Sequence, residues 1–188
     1  MTLTAQTTET GVPGYEAATW TIDPVHSEVG FSVRHMMVSK VRGRFTKFSG
    51  QIVTAADPLQ STVTAEIDLG SIDTGQEQRD NHIRSADFFE VETYPTMTYT
   101  SRGVRVEDGD YVLDGELTLK GVTKNVPLRL ELNGFGADPY GGYRAGFTAT
   151  GEINRSEFNI SFNAPMANGG VVVADKIQLQ LEIEAVRA

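Results

Sequence analysis

The chain has 188 residues, 16 Lys or Arg against 25 Asp or Glu, a net charge of -9 and 39% hydrophobic residues, the scale of one domain with a sizeable core. The acidic balance disfavours nucleic acid and, on average, anionic membrane surfaces as partners. The absence of cysteine excludes disulfides, thiol nucleophiles and thiolate metal ligands.

Met1 to Tyr15 contains no Lys or Arg and no apolar run, so no secretory signal is read there, and no other segment is apolar enough for stable membrane insertion. The reading is a cytoplasmic protein whose residues 1–18 form a flexible polar arm that contributes little to stability. From Val25 to Met37, Val29, Phe31 and Val33 alternate with Glu28, Gly30, Ser32 and Arg34, which predicts a strand with one buried face; His35 falls on that face. Phe45, Phe48 and Ile52 mark a second strand, whose change of phase calls for a bulge at Thr46 or Lys47. After a turn at Ala56 to Leu59, Val63, Ala65, Ile67 and Leu69 alternate with polar residues. The segment from Asp73 to Phe89 is the one helical excursion, with Asp73 or Thr74 as its cap and Phe88 and Phe89 at its end.

Alternation resumes at Met97 and Tyr99 and shifts to Val104 and Val106 beyond Gly103, the mark of a bulge. Asp108-Gly109 predicts a tight hairpin leading into Tyr111, Leu113, Leu117 and Leu119. A turn over Lys120 to Asn125 precedes Val126, Leu128, Leu130 and Leu132. Asp138 to Gly142 turns the chain into Tyr143, Ala145, Phe147, Ala149 and Ile153, and a loop through Pro165 and Gly169-Gly170 leads to Ile177, Leu179, Leu181 and Ile183. About eight such segments in series predict an all-β fold, a closed eight-stranded antiparallel barrel, because closure removes exposed edges and eight strands can enclose one small ligand. Inward positions include the small Ala65, Ala145 and Ala149 and one tryptophan, Trp20, so the interior has room for a long apolar guest. The same aromatic and aliphatic residues could equally pack into a closed core.

Several spaced motifs are similar to those of the YceI-like family. They are Trp20 to Asp23 with His26-Ser27, Phe31 to Met36, Gly43 to Phe45 with Phe48 to Gly50, Arg79 to His82 with Asp87 to Phe89, and Tyr94-Pro95. Further on come Gly115, Leu117 to Lys124, and Ile153 to Ser156 with Phe158. Asn125 stands where the family usually has proline and Asn159 where it favours glycine. The resemblance covers residues 19 to 187 and implies a lipocalin-like barrel domain over residues 19–188. It also implies a central pocket for the tail of a polyisoprenoid, an isoprenoid quinone or a similar small amphiphilic lipid, often in a homodimer.

The candidate ligand-binding residues are Phe31, Val33, His35, Phe45 and Phe48 on the first strands, and Phe88 and Phe89 after the helix. To these are added Met97, Tyr99, Phe147, Ala149, Phe158, Leu179 and Leu181. Arg79, Asp80 and His82 on the helix are candidates for a headgroup contact or lid, or for a salt-bridged clamp. No metal site is read, since His26 and His35 point to opposite faces of a regular strand and His82 has no partner at i+4. Neither a Gly-x-Ser-x-Gly elbow nor a phosphate-binding glycine loop is present. No cofactor beyond the bound lipid and no catalytic residue is assigned. The expectation is non-catalytic lipid binding, storage or transport; a barrel enzyme using His35 or His82 as a base on such a lipid is the alternative.

Overall fold

The structure, a computed structural model, describes residues 11–188. A long hairpin opens the fold. Its first arm is β1 (Ala18–Ile22) continued by β2 (Glu28–His35), and its second is β3 (Ser39–Phe45) continued by β4 (Phe48–Thr54); β2 pairs with β3 and β1 with β4. Then come β5 (Thr62–Asp68), the short β6 (Ile72–Asp73) and α1 (Glu77–Arg84). The series continues with β7 (Thr96–Glu107), β8 (Asp110–Leu119), β9 (Val122–Asn125), β10 (Leu128–Ala137), β11 (Tyr143–Asn154) and β12 (Val173–Arg187).

Antiparallel pairing runs β1-β4-β5-β7-β8-β10-β11-β12, and β12 returns to pair with both β1 and β2. With β1–β2 and β3–β4 each taken as one bent stave, and β6 and β9 as short additions, this is a closed eight-stranded antiparallel barrel with one helix. Its longest stave, β12, has 15 residues, and 12-residue staves at about 3.3 Å per residue and a tilt near 40° give a tube roughly 30 Å tall.

The expected bulge at Gly103 is present, with the register shifting between Ser101 and Gly103, and Asp108-Gly109 turns at positive φ (53° and 86°). Four local features differ from the sequence reading. At Thr46 and Lys47 the stave breaks: β3 gives its free edge to β6 while β4 pairs with β5, and Ser71 clamps the corner through bonds from Thr46 and Lys47. Within the expected Lys120–Asn125 turn lies β9, because Lys120 and Gly121 at φ 48° and 77° reverse the chain in two residues. The helix is capped by Gln76, whose side chain accepts from Arg79 N–H, since Thr74 is committed to Asp80.

The N-terminal arm is the fourth. Residues 1–10 of it lie outside the described residues, whereas Ala18 already belongs to β1 and Tyr15 is docked. The Tyr15 hydroxyl donates to Ala55 O at 2.6 Å, and its ring meets Phe135 edge-on at 5.3 Å.

Trp20 is fully buried with Ile22, Ile52, Ala145, Phe147 and Ala185, where β1, β4, β11 and β12 converge. Its indole N–H donates to Thr54 Oγ1 at 2.7 Å, which satisfies the one polar atom in that cluster. This closes one end of the barrel. At the other end α1 is tied down by Arg84, whose guanidinium donates to Gly70 O (2.8 Å) and Ile72 O (3.1 Å).

Candidate functional site: an apolar cavity inside the barrel

Strand alternation places one face of every stave inward, but the inward side chains do not fill the tube. A cavity of about 490 Å³ remains, running from Tyr15, Pro58 and Ser61 at the Trp20 end to His35, His82 and Phe162 at the opposite end. Its wall is almost wholly aliphatic and aromatic. Tyr15 stoppers the first end, held by Ala55 O and by Ser61 Oγ at 3.3 Å. At the second end the lining residues Arg34, Arg79, His82 and Phe162 are exposed, so this end is the mouth.

Two glycines account for part of the open space. Gly43 lies directly across from Phe31 in the β2–β3 register, and an added Cβ there would collide with the Phe31 ring; the ring therefore lies flat over bare backbone. Gly115 is the same kind of seat for Tyr99, whose ring atoms would be 2.5 Å from an added Cβ. The Tyr99 hydroxyl donates to Val126 O at 2.8 Å, and burial pushes its pKa well above the ordinary phenol value, so it remains a donor. A glycine in a strand interior, directly opposite an aromatic residue as at Gly43 or diagonal to one as at Gly115, is the signal from which these seats can be read.

Of the expected ligand-contacting residues, Phe31, Val33, His35, Phe45, Phe48, Phe88 and Phe89 line the cavity, as do Met97, Tyr99, Phe147, Ala149, Leu179 and Leu181. Phe158 does not. It sits in the one-turn 3-10 segment Arg155–Phe158 after β11, 1% exposed and packed into the core behind the wall. Ala145 likewise belongs to the Trp20 cluster and not to the cavity. Lining residues absent from the sequence reading include Tyr15, Ile83 and Phe162, which lie outside the alternating staves.

The polar groups at the mouth are mostly engaged with their own chain. Asp80 is buried, accepts from Thr74 N–H (2.9 Å) and Thr74 Oγ1 (2.5 Å), and borders a shallow depression outside the barrel. Arg79 donates to Thr74 Oγ1 and Thr74 O, both at 2.8 Å. His82 Nε2 is 2.8 Å from Asp87, with its ring edge-on to Phe88 and Phe162. The clamp expected of this segment is thus made by short-range bonds, and Arg79 and His82 also reach the cavity rim while Asp80 does not.

Arg155 is the buried cation of the site, 5% exposed. Its guanidinium donates to the carbonyls of Ala174, Ile160, Phe162 and Val173 at 2.8 to 3.2 Å and lies 6.0 Å from the Phe88 ring centre. Burial lowers its pKa from the usual arginine value. It fastens the loop between β11 and β12, which forms one lip of the mouth. Next to it Asn159 adopts the left-handed conformation (φ 59°) at the end of the 3-10 turn. This explains how asparagine stands where the family favours glycine, since both residues tolerate that region. By contrast, His35 makes no side-chain hydrogen bond among the described residues, which leaves its imidazole available at the mouth.

Near the closed end, Asp23, His26 and Glu184 bring ligand-type atoms close together. Arg144 already engages both carboxylates, however, donating to Asp23 (2.9 Å) and Glu184 (2.7 Å) as well as to Asp138 (2.8 Å). That geometry is an ion-pair network tying β11, β12 and the β1 end together.

A closed antiparallel barrel around a long apolar cavity, with a polar and partly exposed mouth, defines a lipocalin-like barrel. Residues 20–185 match the YceI-like domain family, and the chain belongs to that family. It is 40% identical over 163 residues to a UPF0312 protein of Photorhabdus laumondii, covering 86% of this chain and 82% of that one. In structure it is similar to BcnA of Burkholderia cenocepacia, with a TM-score of 0.75 and 27% identity over 87% of this chain and 98% of that one. It also shares the fold of a polyisoprenoid-binding domain of Saccharophagus degradans implicated in plant cell wall breakdown (TM-score 0.67, 18% identity, 92% and 100% coverage).

Proposed function

We propose that the chain binds a long-chain isoprenoid or a similar amphiphilic lipid, with the tail inside the barrel and the polar head at the His35 mouth, as a store or carrier and without chemical turnover. The carrying observation is the apolar cavity of about 490 Å³ along the barrel axis, a volume in the usual range of roughly 300 to 1,000 Å³ for ligand sites. Transfer of a hydrocarbon tail from water to such a wall is favourable at about 0.8 kcal/mol per buried CH₂. The polyisoprenoid-binding description of the Saccharophagus domain, which has the same fold, is consistent with this guest. That Arg79, His82 and Arg155 are engaged in holding the wall supports binding over acid–base chemistry.

Native mass spectrometry of the chain isolated from its own host, followed by lipid extraction, tests the proposal. The expected result is one isoprenoid-like lipid per chain, of unchanged mass after prolonged incubation. A preparation that never carries lipid, or a guest converted with time, contradicts it.

A further inference from the structure

The mouth of the cavity is rimmed by apolar side chains that the barrel does not use. The β2–β3 turn presents Met36, Met37 and Val38, which are 41%, 61% and 82% exposed, and Phe162 and Val171 on the neighbouring lip are 39% and 40% exposed. The two lips are joined, Met36 N–H donating to Val172 O at 2.8 Å. The turn closes through Val38 N–H to His35 O at 3.1 Å, with Met36 and Met37 at φ 51° and 62°. Such a turn favours asparagine and glycine, so two methionines there give up local stability for an apolar tip.

The charge around this tip runs opposite to that of the whole chain. From Val29 to Gly43, the part of the hairpin that leads to the tip, the chain carries Arg34, Lys40 and Arg42 and no acidic residue, against a net charge of -9 overall. Arg34 and Lys40 stand directly opposite each other across the hairpin, a like-charge pairing that is locally unfavourable. Both are exposed, as is Arg42, and none of the three forms an ion pair among the described residues. An apolar tip with a basic collar is complementary to an anionic bilayer: apolar groups enter the headgroup boundary and cations meet phosphates.

We propose that the β2–β3 tip docks the barrel mouth onto an anionic lipid bilayer, with Met36, Met37 and Val38 inserted and Arg34, Lys40 and Arg42 against the lipid phosphates. The docked cavity then opens toward the membrane, so a tail passes between bilayer and barrel without crossing water. This rests on the lipid-binding reading above and adds the surface at which the lipid is exchanged. The net negative charge of the remaining surface keeps docking reversible and confined to this end.

The test is co-sedimentation of the full chain with vesicles of phosphatidylcholine alone or mixed with phosphatidylglycerol, at low and high salt. The wild type should bind only the mixed vesicles and be released by salt. Met37→Ser with Val38→Ser, and separately Arg34→Glu, Lys40→Glu and Arg42→Glu together, should keep the wild-type melting temperature. Partitioning should fall in both, by roughly a hundredfold or more in the charge variant, at about fivefold for each of the three basic residues lost. Equal wild-type binding to both vesicle types, no binding to either, or variants that bind as wild type overturn the proposal. So does concentration-dependent self-association that disappears with the tip variant, which makes a second copy the occupant. Uptake of an isoprenoid presented in detergent micelles separates the two readings. Uptake without vesicle binding removes the docking surface and leaves the cavity's role intact, whereas vesicle binding without uptake does the reverse.

Discussion

Single residues hold the cavity open. Because Phe31 lies over Gly43, Gly43→Val should push the ring into the lumen; the expected outcome is a folded barrel whose isoprenoid uptake falls about tenfold or more, measured by equilibrium binding. Gly115→Ala acts on Tyr99 in the same way and strains its bond to Val126 O, so a stability loss of about 1 to 3 kcal/mol is expected by denaturant unfolding. Arg155 is the residue on which the lip depends. Arg155→Met leaves the carbonyls of Ala174, Ile160, Phe162 and Val173 without their donor, and should cost about 3 kcal/mol and expose the loop to protease. Arg155→Lys should rescue little of it, because an ammonium cannot reproduce the planar fork.

At the scale of elements, the two ends of the barrel are held differently. Tyr15 stoppers the closed end through Ala55 O, Ser61 and Phe135, so Tyr15→Ala should lower stability by about 2 kcal/mol in denaturant unfolding. This outcome differs from the expectation that the arm before Trp20 contributes little to stability. The network beside it is acid-sensitive. Hydrogen bonds from His26 and then Arg144 hold the Asp23 carboxyl well below the usual carboxylate range, and Arg144 followed by backbone N–H groups lowers the pKa of Asp138. A carboxyl whose folded pKa is depressed contributes stability that is complete above its unfolded value, about 3.9, and is lost as pH falls from there through the folded value. Urea unfolding between pH 6 and pH 2, chosen as roughly the window around that value, should show stability declining below about pH 4, with a shallower decline in Asp23→Asn.

Period-two alternation was sufficient to read the staves, because every inward residue of β2, β5, β8, β11 and β12 meets the same apolar interior. Corners were not legible in this way. Whether Thr46 and Lys47 form a bulge or a break depends on Ser71, a distant residue that captures both. Whether Asp80 faces the mouth depends on Thr74, which draws it into a buried bond.

For the molecule as a whole, the fold follows from closure of a meander, and the cavity follows from what the closed tube leaves unfilled. Most of the cavity wall was legible, since an inward residue on a stave faces the lumen unless it falls within the Trp20 plug, as Ala145 does. Phe158 shows the limit of that rule: it follows β11 within six residues of Ile153 but lies on a 3-10 turn, where period two no longer assigns a face. That small inward residues leave room was legible, but the extent of the space was not, because volume depends also on ring orientation, which Gly43 and Gly115 set by cross-strand contact.

The central claim is that this space receives a lipid tail, and Ala149 probes it most directly. Ala149 is 5% exposed and lines the cavity midway along β11, paired with Leu181 on one side and Leu130 on the other. Binding of a long-chain isoprenoid to lipid-free wild type and Ala149→Phe, with thermal unfolding of the same samples, is the decisive measurement. One lipid bound per wild-type chain, an affinity reduced about tenfold or more in the variant and a nearly unchanged melting temperature are expected, because the added ring occupies lumen and not packed core. Equal uptake by both proteins together with a clear stability loss in Ala149→Phe, roughly 1 to 3 kcal/mol as overpacking gives, would show a filled core and contradict the claim.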